Sequence, residues 1–279
     1  MPSSPPSITI GVLALQGAFS EHIQLLRTAS THYPNHPIHP IEVRTPAQLS
    51  QCAALIIPGG ESTTMSLVAT RSHLLEPLRT FVKVLRRPTW GTCAGLILLA
   101  ESANRTKKGG QELIGGLDVR VNRNHFGRQN ESFEAPLDLP FLSGKEQSGG
   151  KFRCVFIRAP VVERVLERRR GVQDGEAQKE DTVVAPSKTP VDDLAEKELD
   201  AEVEVMATLS LRNPELRKNQ EHGHGGKEDV IAVRQGNVFG CSFHPELTDD
   251  ARIHVWWLGE VVRAVEKRVE FEMVDRTRE

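Results

Sequence analysis

The stretch Trp90-Gly91-Thr92-Cys93-Ala94-Gly95 runs directly into Leu96-Ile97-Leu98-Leu99-Ala100. A cysteine set between two glycines and followed at once by an apolar, helix-forming run has the pattern of a nucleophile elbow. There the chain leaves a strand, turns sharply and enters a helix. Gly91 and Gly95 leave room for the turn and for close packing of helix on strand. Cys93 then sits at a helix N-terminus, where the dipole and the unpaired N–H groups favour a thiolate. The same letters also fit a core cysteine in an apolar helix, because free cysteine is among the most buried residue types. Other parts of the chain decide between the two.

Upstream, Ile8-Thr9-Ile10-Gly11-Val12-Leu13-Ala14-Leu15 is β-rich and apolar on both faces, as a central parallel strand is. No basic region precedes it and Gln16-Gly17 ends it, so it reads as a strand and not as a signal peptide. A helical pattern follows over 20–29, then short strands over 41–44 and 53–57. Pro58-Gly59-Gly60-Glu61-Ser62-Thr63-Thr64 reads as a Gly-rich turn opening a helix, with Ser62 or Thr63 as its N-cap. A further amphipathic helix is predicted over 72–85, and strand, elbow and helix over 88–102. This alternation implies α/β architecture: an open, mainly parallel sheet flanked by helices, flavodoxin-like. In such sheets ligands bind beyond the C-terminal strand ends. Gly60 and Cys93 both fall at such ends.

The second half reads as more β-rich, with strands predicted over 117–121, 132–135, 154–158, 202–209, 230–234 and 238–243, and a closing helix over 252–273. Residues 1–279 are read as one domain, with a Pro/Ser-rich, frayed tail at 1–7. Segments 166–201 and 211–228 are charged or polar with few large apolar residues. They bury too little to offset their ordering entropy, so mobile insertions are expected.

Composition narrows the function. The chain has 279 residues, 38% hydrophobic and 26% charged, with a net charge of -2. That balance offers no basis for a nucleic-acid or anionic-membrane partner, and no apolar run approaches transmembrane length. Cys52, Cys93, Cys154 and Cys241 are far apart with no C-x-x-C, which speaks against zinc and disulfides and for a reducing, cytoplasmic compartment. His32, His36 and His39, and His222 and His224, lack the carboxylates or cysteines that would complete a ligand set, so no metal is expected.

A thiol nucleophile needs a base, and the base needs an orienter. Phe243-His244-Pro245-Glu246-Leu247 follows a strand and supplies both types. Residues i and i+2 of an extended segment project to the same side, and Pro245 stiffens the backbone between them. His244 and Glu246 can therefore aim together at Cys93.

Gly91-Thr92-Cys93-Ala94-Gly95 with His244-Pro245-Glu246 resembles the class I (triad) glutamine amidotransferases. Further segments narrow the resemblance: 11–17 with Glu21-His22, 58–65, 123–129 and 156–160. Together they are similar to the glutaminase subunits of pyridoxal 5'-phosphate synthases, the PdxT/SNO family, over roughly 8–165, 202–210 and 230–270. The resemblance implies hydrolysis of L-glutamine to L-glutamate and ammonia without a cofactor. It implies Cys93 as nucleophile, His244 as proton shuttle and Glu246 as its orienter. Gly60 and Ala94 would form the oxyanion hole, and Gly60, Glu61, Ser62, Arg123, Ile157 and Arg158 would bind glutamine. The implied partner is a separate synthase subunit in a large hetero-oligomer, with Gln16-Gly17 near the rim it docks on. Two alternatives stay open on these residues: the glutaminase of another pathway, such as imidazole glycerol phosphate synthase, and a non-catalytic scaffold of the same fold.

Overall fold

The computed structural model describes residues 7–104, 111–123, 132–143, 150–167, 174–179, 181–210 and 228–276. Of the expected tail only Ser7 is among them, and 211–227 lie outside them. The first half runs β1 (Ile8–Leu13), α1 (Phe19–Ser30), β2 (Ile38–Val43), α2 (Pro46–Ser50), β3 (Ala54–Ile57), α3 (Ser62–Arg71), α4 (Leu75–Arg79), β4 (Thr89–Thr92), α5 (Ala94–Leu99) and β5 (Ala100–Asn104). There follow β6 (Leu117–Asn122), β7 (Ser132–Leu137), β8 (Phe152–Ile157), β9 (Val161–Val165), α6 (Asp174–Ala177), β10 (Thr182–Val184), α7 (Asp193–Leu199), β11 (Val203–Leu209), β12 (Asp229–Gln235), β13 (Val238–Cys241) and α8 (Arg252–Arg276).

Among the described residues, eleven strands form one sheet in the order β10-β5-β6-β9-β12-β13-β4-β3-β1-β2, with β11 pairing on β12. The run β13-β4-β3-β1-β2 is parallel throughout. Beyond β13 the pairings are antiparallel except for β5 with β6. The architecture is thus the α/β sheet read from the alternating pattern, with an antiparallel, β-rich extension from the second half. β7 and β8 differ from that reading: they pair with each other as a separate hairpin and do not join the sheet.

Strand alternation sends side chains to two cores. On β3, Ala54 and Ile56 face the cluster holding Ile23 and Leu26 of α1 and Trp257, Leu258 and Val261 of α8. Leu55 and Ile57 face the cluster of Met65, Leu78, Leu96 and Leu98, from α3, α4 and α5. Helices therefore cover both faces, and the C-terminal strand edge stays open to ligands.

Several boundaries depart from the sequence reading. β2 begins at Ile38 and passes through Pro40, which an edge strand tolerates because one side needs no N–H donors. α5 ends at Leu99, and the apolar run continues as β5; a fully buried run carries no period to separate helix from strand. The helix expected over 72–85 starts at Leu75 and widens into a π turn over 80–84. The largest departure concerns 166–201. Its described part is built into the fold: β10 pairs with β5, and Leu194, Ala195 and Leu199 are buried. Carbonyls of this segment also satisfy buried cations. Lys83 Nζ donates to Pro186 O at 2.7 Å, and Arg86 Nη2 to Glu198 O at 3.1 Å. Low apolar content misled because the segment is held largely by its backbone acceptors.

Candidate active site

Four adjacent parallel strands end at one edge of the sheet, and each delivers a piece of the site. β4 ends at Thr92 and hands the chain to Cys93, which precedes α5 with φ 47° and ψ -103°. Such a positive φ costs a non-glycine residue energy that the surroundings must offset. They do so by tying the Cys93 N–H to Cys241 O at 2.8 Å, at the end of β13. The flanking glycines are spatially required. A Cβ on Gly95 would lie 2.0 Å from Ile57 O, and one on Gly91 2.5 Å from the Gly95 carbonyl carbon. The elbow therefore closes α5 directly onto the ends of β3 and β4.

β13 leads to His244, which follows Cys241, the residue whose carbonyl holds the Cys93 N–H. Nδ1 of His244 lies 2.7 Å from Oε1 of Glu246, which leaves Nε2 free to serve the site. Cys93, His244 and Glu246 are 6%, 9% and 3% exposed, so their interactions act in a poorly hydrated setting. Burial opposes the charged form of His244, but its neighbours Cys93 and Glu246 outweigh it and raise the ring to about 10. Burial likewise opposes the charge on Glu246, yet His22 and His244 hold it below the usual carboxylate range. By contrast, burial pushes Cys52 up to about 11 and raises Cys154 and Cys241 further. Among the described residues no cluster of metal-ligating side chains occurs.

β3 leads into Pro58-Gly59-Gly60. Gly60 has φ 152°, and a Cβ there would crowd Met65 Sδ at 3.0 Å and Gln16 Oε1 at 3.1 Å. Gln16, beyond β1, accepts from the Glu61 N–H at 3.0 Å, so the end of the first strand braces this turn. Gly17 packs against the same turn: a Cβ on it would stand 1.9 Å from Gly59 O. Ala94 opens α5, where first-turn N–H groups lack helical partners.

The remaining expected residues have distinct placements. Glu61, not Ser62 or Thr63, caps α3: its carboxylate accepts from Thr63 N at 3.0 Å and Thr64 N at 2.7 Å. These bonds offset its partial burial and hold it ionised below the usual range. Ser62 is buried and donates to Gln111 Oε1 at 3.0 Å. Arg123 is buried, which lowers it to about 10, with the charge of Glu61 opposing. Residues 124–129 of that segment lie outside the described residues. Ile157 brings its carbonyl to 3.9 Å from Cys93 Sγ. Arg158 beside it is exposed, with φ 47°. Gln111 and the pair His22 and His254 received no role from the sequence. Both histidines occupy apolar helical faces, with Leu26 and Ala29 on α1 and Trp257, Leu258 and Val261 on α8. A histidine in such a register is the signal that marks them.

A strained elbow cysteine with a hydrogen-bonded histidine–carboxylate pair on the adjoining strand end of a parallel α/β sheet has the layout of a thiol amidohydrolase. A solved structure described as glutamine amidotransferase superposes with a TM-score of 0.61 at 34% identity, covering 90% of this chain and 98% of that one. The model of the SNO glutamine amidotransferase family matches residues 12–196 and 193–263. Similar proteins include a probable pyridoxal 5'-phosphate synthase subunit of Arabidopsis thaliana, 40% identical over 90% of this chain and 85% of that one. The pyridoxal 5'-phosphate synthase subunit PdxT of Streptomyces avermitilis is also 40% identical, over 91% and 94%. The PdxT subunit of Herpetosiphon aurantiacus is 37% identical over 90% and 100%. This chain belongs to the SNO glutamine amidotransferase family.

Proposed function

We propose that this chain hydrolyses L-glutamine to L-glutamate and ammonia and supplies the ammonia to a pyridoxal 5'-phosphate synthase subunit for vitamin B6 synthesis. The observation that carries the reading is Cys93 on its strained elbow at the end of β4, with the hydrogen-bonded pair His244–Glu246 following the adjoining β13. In this scheme the Cys93 sulfur attacks the side-chain amide carbon of glutamine. Negative charge gathers on the carbonyl oxygen, and the N–H groups of Gly60 and Ala94 stabilise it. His244 gives its proton to the leaving nitrogen, the C–N bond breaks, and ammonia departs from a γ-glutamyl thioester. His244 then takes a proton from water, the thioester is hydrolysed, and glutamate leaves with the thiol restored. Glu246 keeps His244 oriented through both transfers.

Arg123 and the Ile157-Arg158 backbone suit the α-carboxylate and α-ammonium of glutamine. Glu61 and Ser62 contribute chiefly by fixing the start of α3, given the bonds that occupy them. Docking of the synthase subunit, in a large hetero-oligomer, acts through the Gln16-braced turn at Gly59-Gly60, where two glycines permit a peptide to reorient. Four unpaired, buried cysteines suit a reducing, cytoplasmic setting. The test is glutamate release by the chain with its synthase subunit. Cys93→Ala should abolish it while leaving the thermal unfolding cooperative, and retained activity would sink the scheme.

A further inference from the structure

Beyond Glu246 lies a pair of imidazoles that the scheme above does not use. His22, in the first turn of α1, and His254, in the first turn of α8, are both 0% exposed. They stand 232 residues apart in the chain, yet His22 Nδ1 lies 2.9 Å from His254 Nε2. The other nitrogen of His22, Nε2, lies 3.4 Å from Oε2 of Glu246 and 3.5 Å from Thr92 Oγ1. Because Oε1 of Glu246 meets His244, the carboxylate lies between two imidazoles, and its outer oxygen Oε2, buried without a hydrogen-bond partner among the described residues, faces His22. Trp90 packs edge-on against both buried rings, with centroids 5.5 Å from His22 and 4.8 Å from His254.

Charge decides where the protons sit. An ionised carboxylate only accepts, so the His22 nitrogen facing it, Nε2, must carry hydrogen. The charged and titratable groups facing His22 are Glu246, His244, Glu21 and His254. Burial outweighs the two carboxylates and keeps His22 lowered. Burial lowers His254 still more, with His22 adding to it. Each ring is therefore neutral, with a single N–H. With Nε2 of His22 protonated, its Nδ1 accepts, and Nε2–H of His254 donates to it. The last nitrogen, Nδ1 of His254, has no partner among the described residues, and here it is only a bare lone pair. The reverse arrangement would bury an unpaired N–H at that nitrogen and set a lone pair of His22 against the carboxylate, both unfavourable.

We infer that His22 is a positioning residue for glutamine hydrolysis: its Nε2–H, 3.4 Å away, is the donor that the otherwise unpartnered outer oxygen of Glu246 takes up during the reaction, and His254 selects the tautomer that allows it. The inference rests on the reading of Cys93, His244 and Glu246 as the reacting set. A carboxylate bound at one oxygen only can turn about its last, broad torsion. Bound at both, it presents Oε1 to His244 through both proton transfers. Trp90, three residues before Cys93, keeps the two helical histidines in register with the elbow.

The experiment compares wild type, His22→Leu and His22→Gln in glutamate release, each assembled with its synthase subunit. Loss of an orienting outer hydrogen bond typically costs about ten- to a hundredfold in activity. His22→Leu should therefore lower kcat by about tenfold or more while KM stays within about twofold. His22→Gln, whose amide can donate to Glu246, should recover most of the rate. A packing role predicts the opposite ranking, with Leu tolerated and Gln not. An active wild type with an equally fast, folded His22→Leu would overturn the role of His22 alone; a silent wild type would instead remove the glutaminase reading. If His22→Leu does not fold, nitrogen-15 histidine NMR of the unaltered chain at neutral pH decides. The inference requires neutral Nε2–H tautomers at His22 and His254. An imidazolium or an Nδ1–H tautomer at His22 would overturn it.

Discussion

Gly59 lies directly beneath the imidazole of His244: a Cβ on Gly59 would stand 2.3 Å from Cε1, 3.0 Å from Nδ1 and 3.3 Å from Nε2. The glycine turn after β3 and the histidine after β13 are thus one fitted unit. Gly59→Ala should displace either the ring or the turn. Misplacing a catalytic group by about an ångström costs on the order of a hundredfold, so kcat/KM for glutamine should fall by about that factor. Thermal unfolding should stay cooperative. Near wild-type glutamate release from Gly59→Ala would show that the ring does not depend on this contact.

The protonation of His244 makes a pH prediction. Its proton is held to about 10 by Cys93 and Glu246 against the effect of burial. Ammonia can leave only when His244 has a proton to give, so kcat/KM should decline as pH rises through that value. Glu246→Gln removes the negative partner, so this alkaline limb should move to lower pH, with a loss of about 10²–10⁴-fold in rate. The sign for stability agrees. A histidine raised in the folded state stabilises fully below its ordinary value of about 6.5. That contribution is lost as pH climbs through about 10. An alkaline limb unmoved by Glu246→Gln would contradict the assignment.

Replacing 182–201 with a Gly/Ser linker should destabilise the protein severely. The change removes the Pro186 and Glu198 carbonyls from Lys83 and Arg86, which are 1% and 2% exposed. It also removes the Leu199 carbonyl that accepts from Gln235 Nε2 at 3.0 Å. Each buried polar group left without its partner costs about 1–3 kcal/mol, and more where it is charged. Loss of cooperative thermal unfolding is the expected readout. A melting temperature within a few degrees of wild type would show the segment to be dispensable.

What could be read from the sequence was local. The elbow at Cys93 and the pair His244 and Glu246 are short patterns whose chemistry is carried by residue type and spacing. The parallel half of the sheet followed from apolar strands alternating with helical patterns. Residue type points to Ser62 or Thr63 as the cap of α3, whereas Glu61 reaches the same N–H groups with a longer side chain. Distant pairings left no trace in any window. Nothing local ties His22 to His254, or Arg86 to the carbonyl of Glu198. For the same reason, the charged composition of 166–201 concealed its attachment to the core.

The central claim is that Cys93 carries the glutamyl group. The most direct measurement is acid quenching of the working complex with glutamine, followed by mass spectrometry of its cysteine peptides. The account predicts a γ-glutamyl adduct on the peptide holding Cys93, none on those holding Cys52, Cys154 or Cys241, and neither adduct nor glutamate from Cys93→Ala. An adduct on another cysteine, or turnover by Cys93→Ala at the wild-type rate, would contradict it.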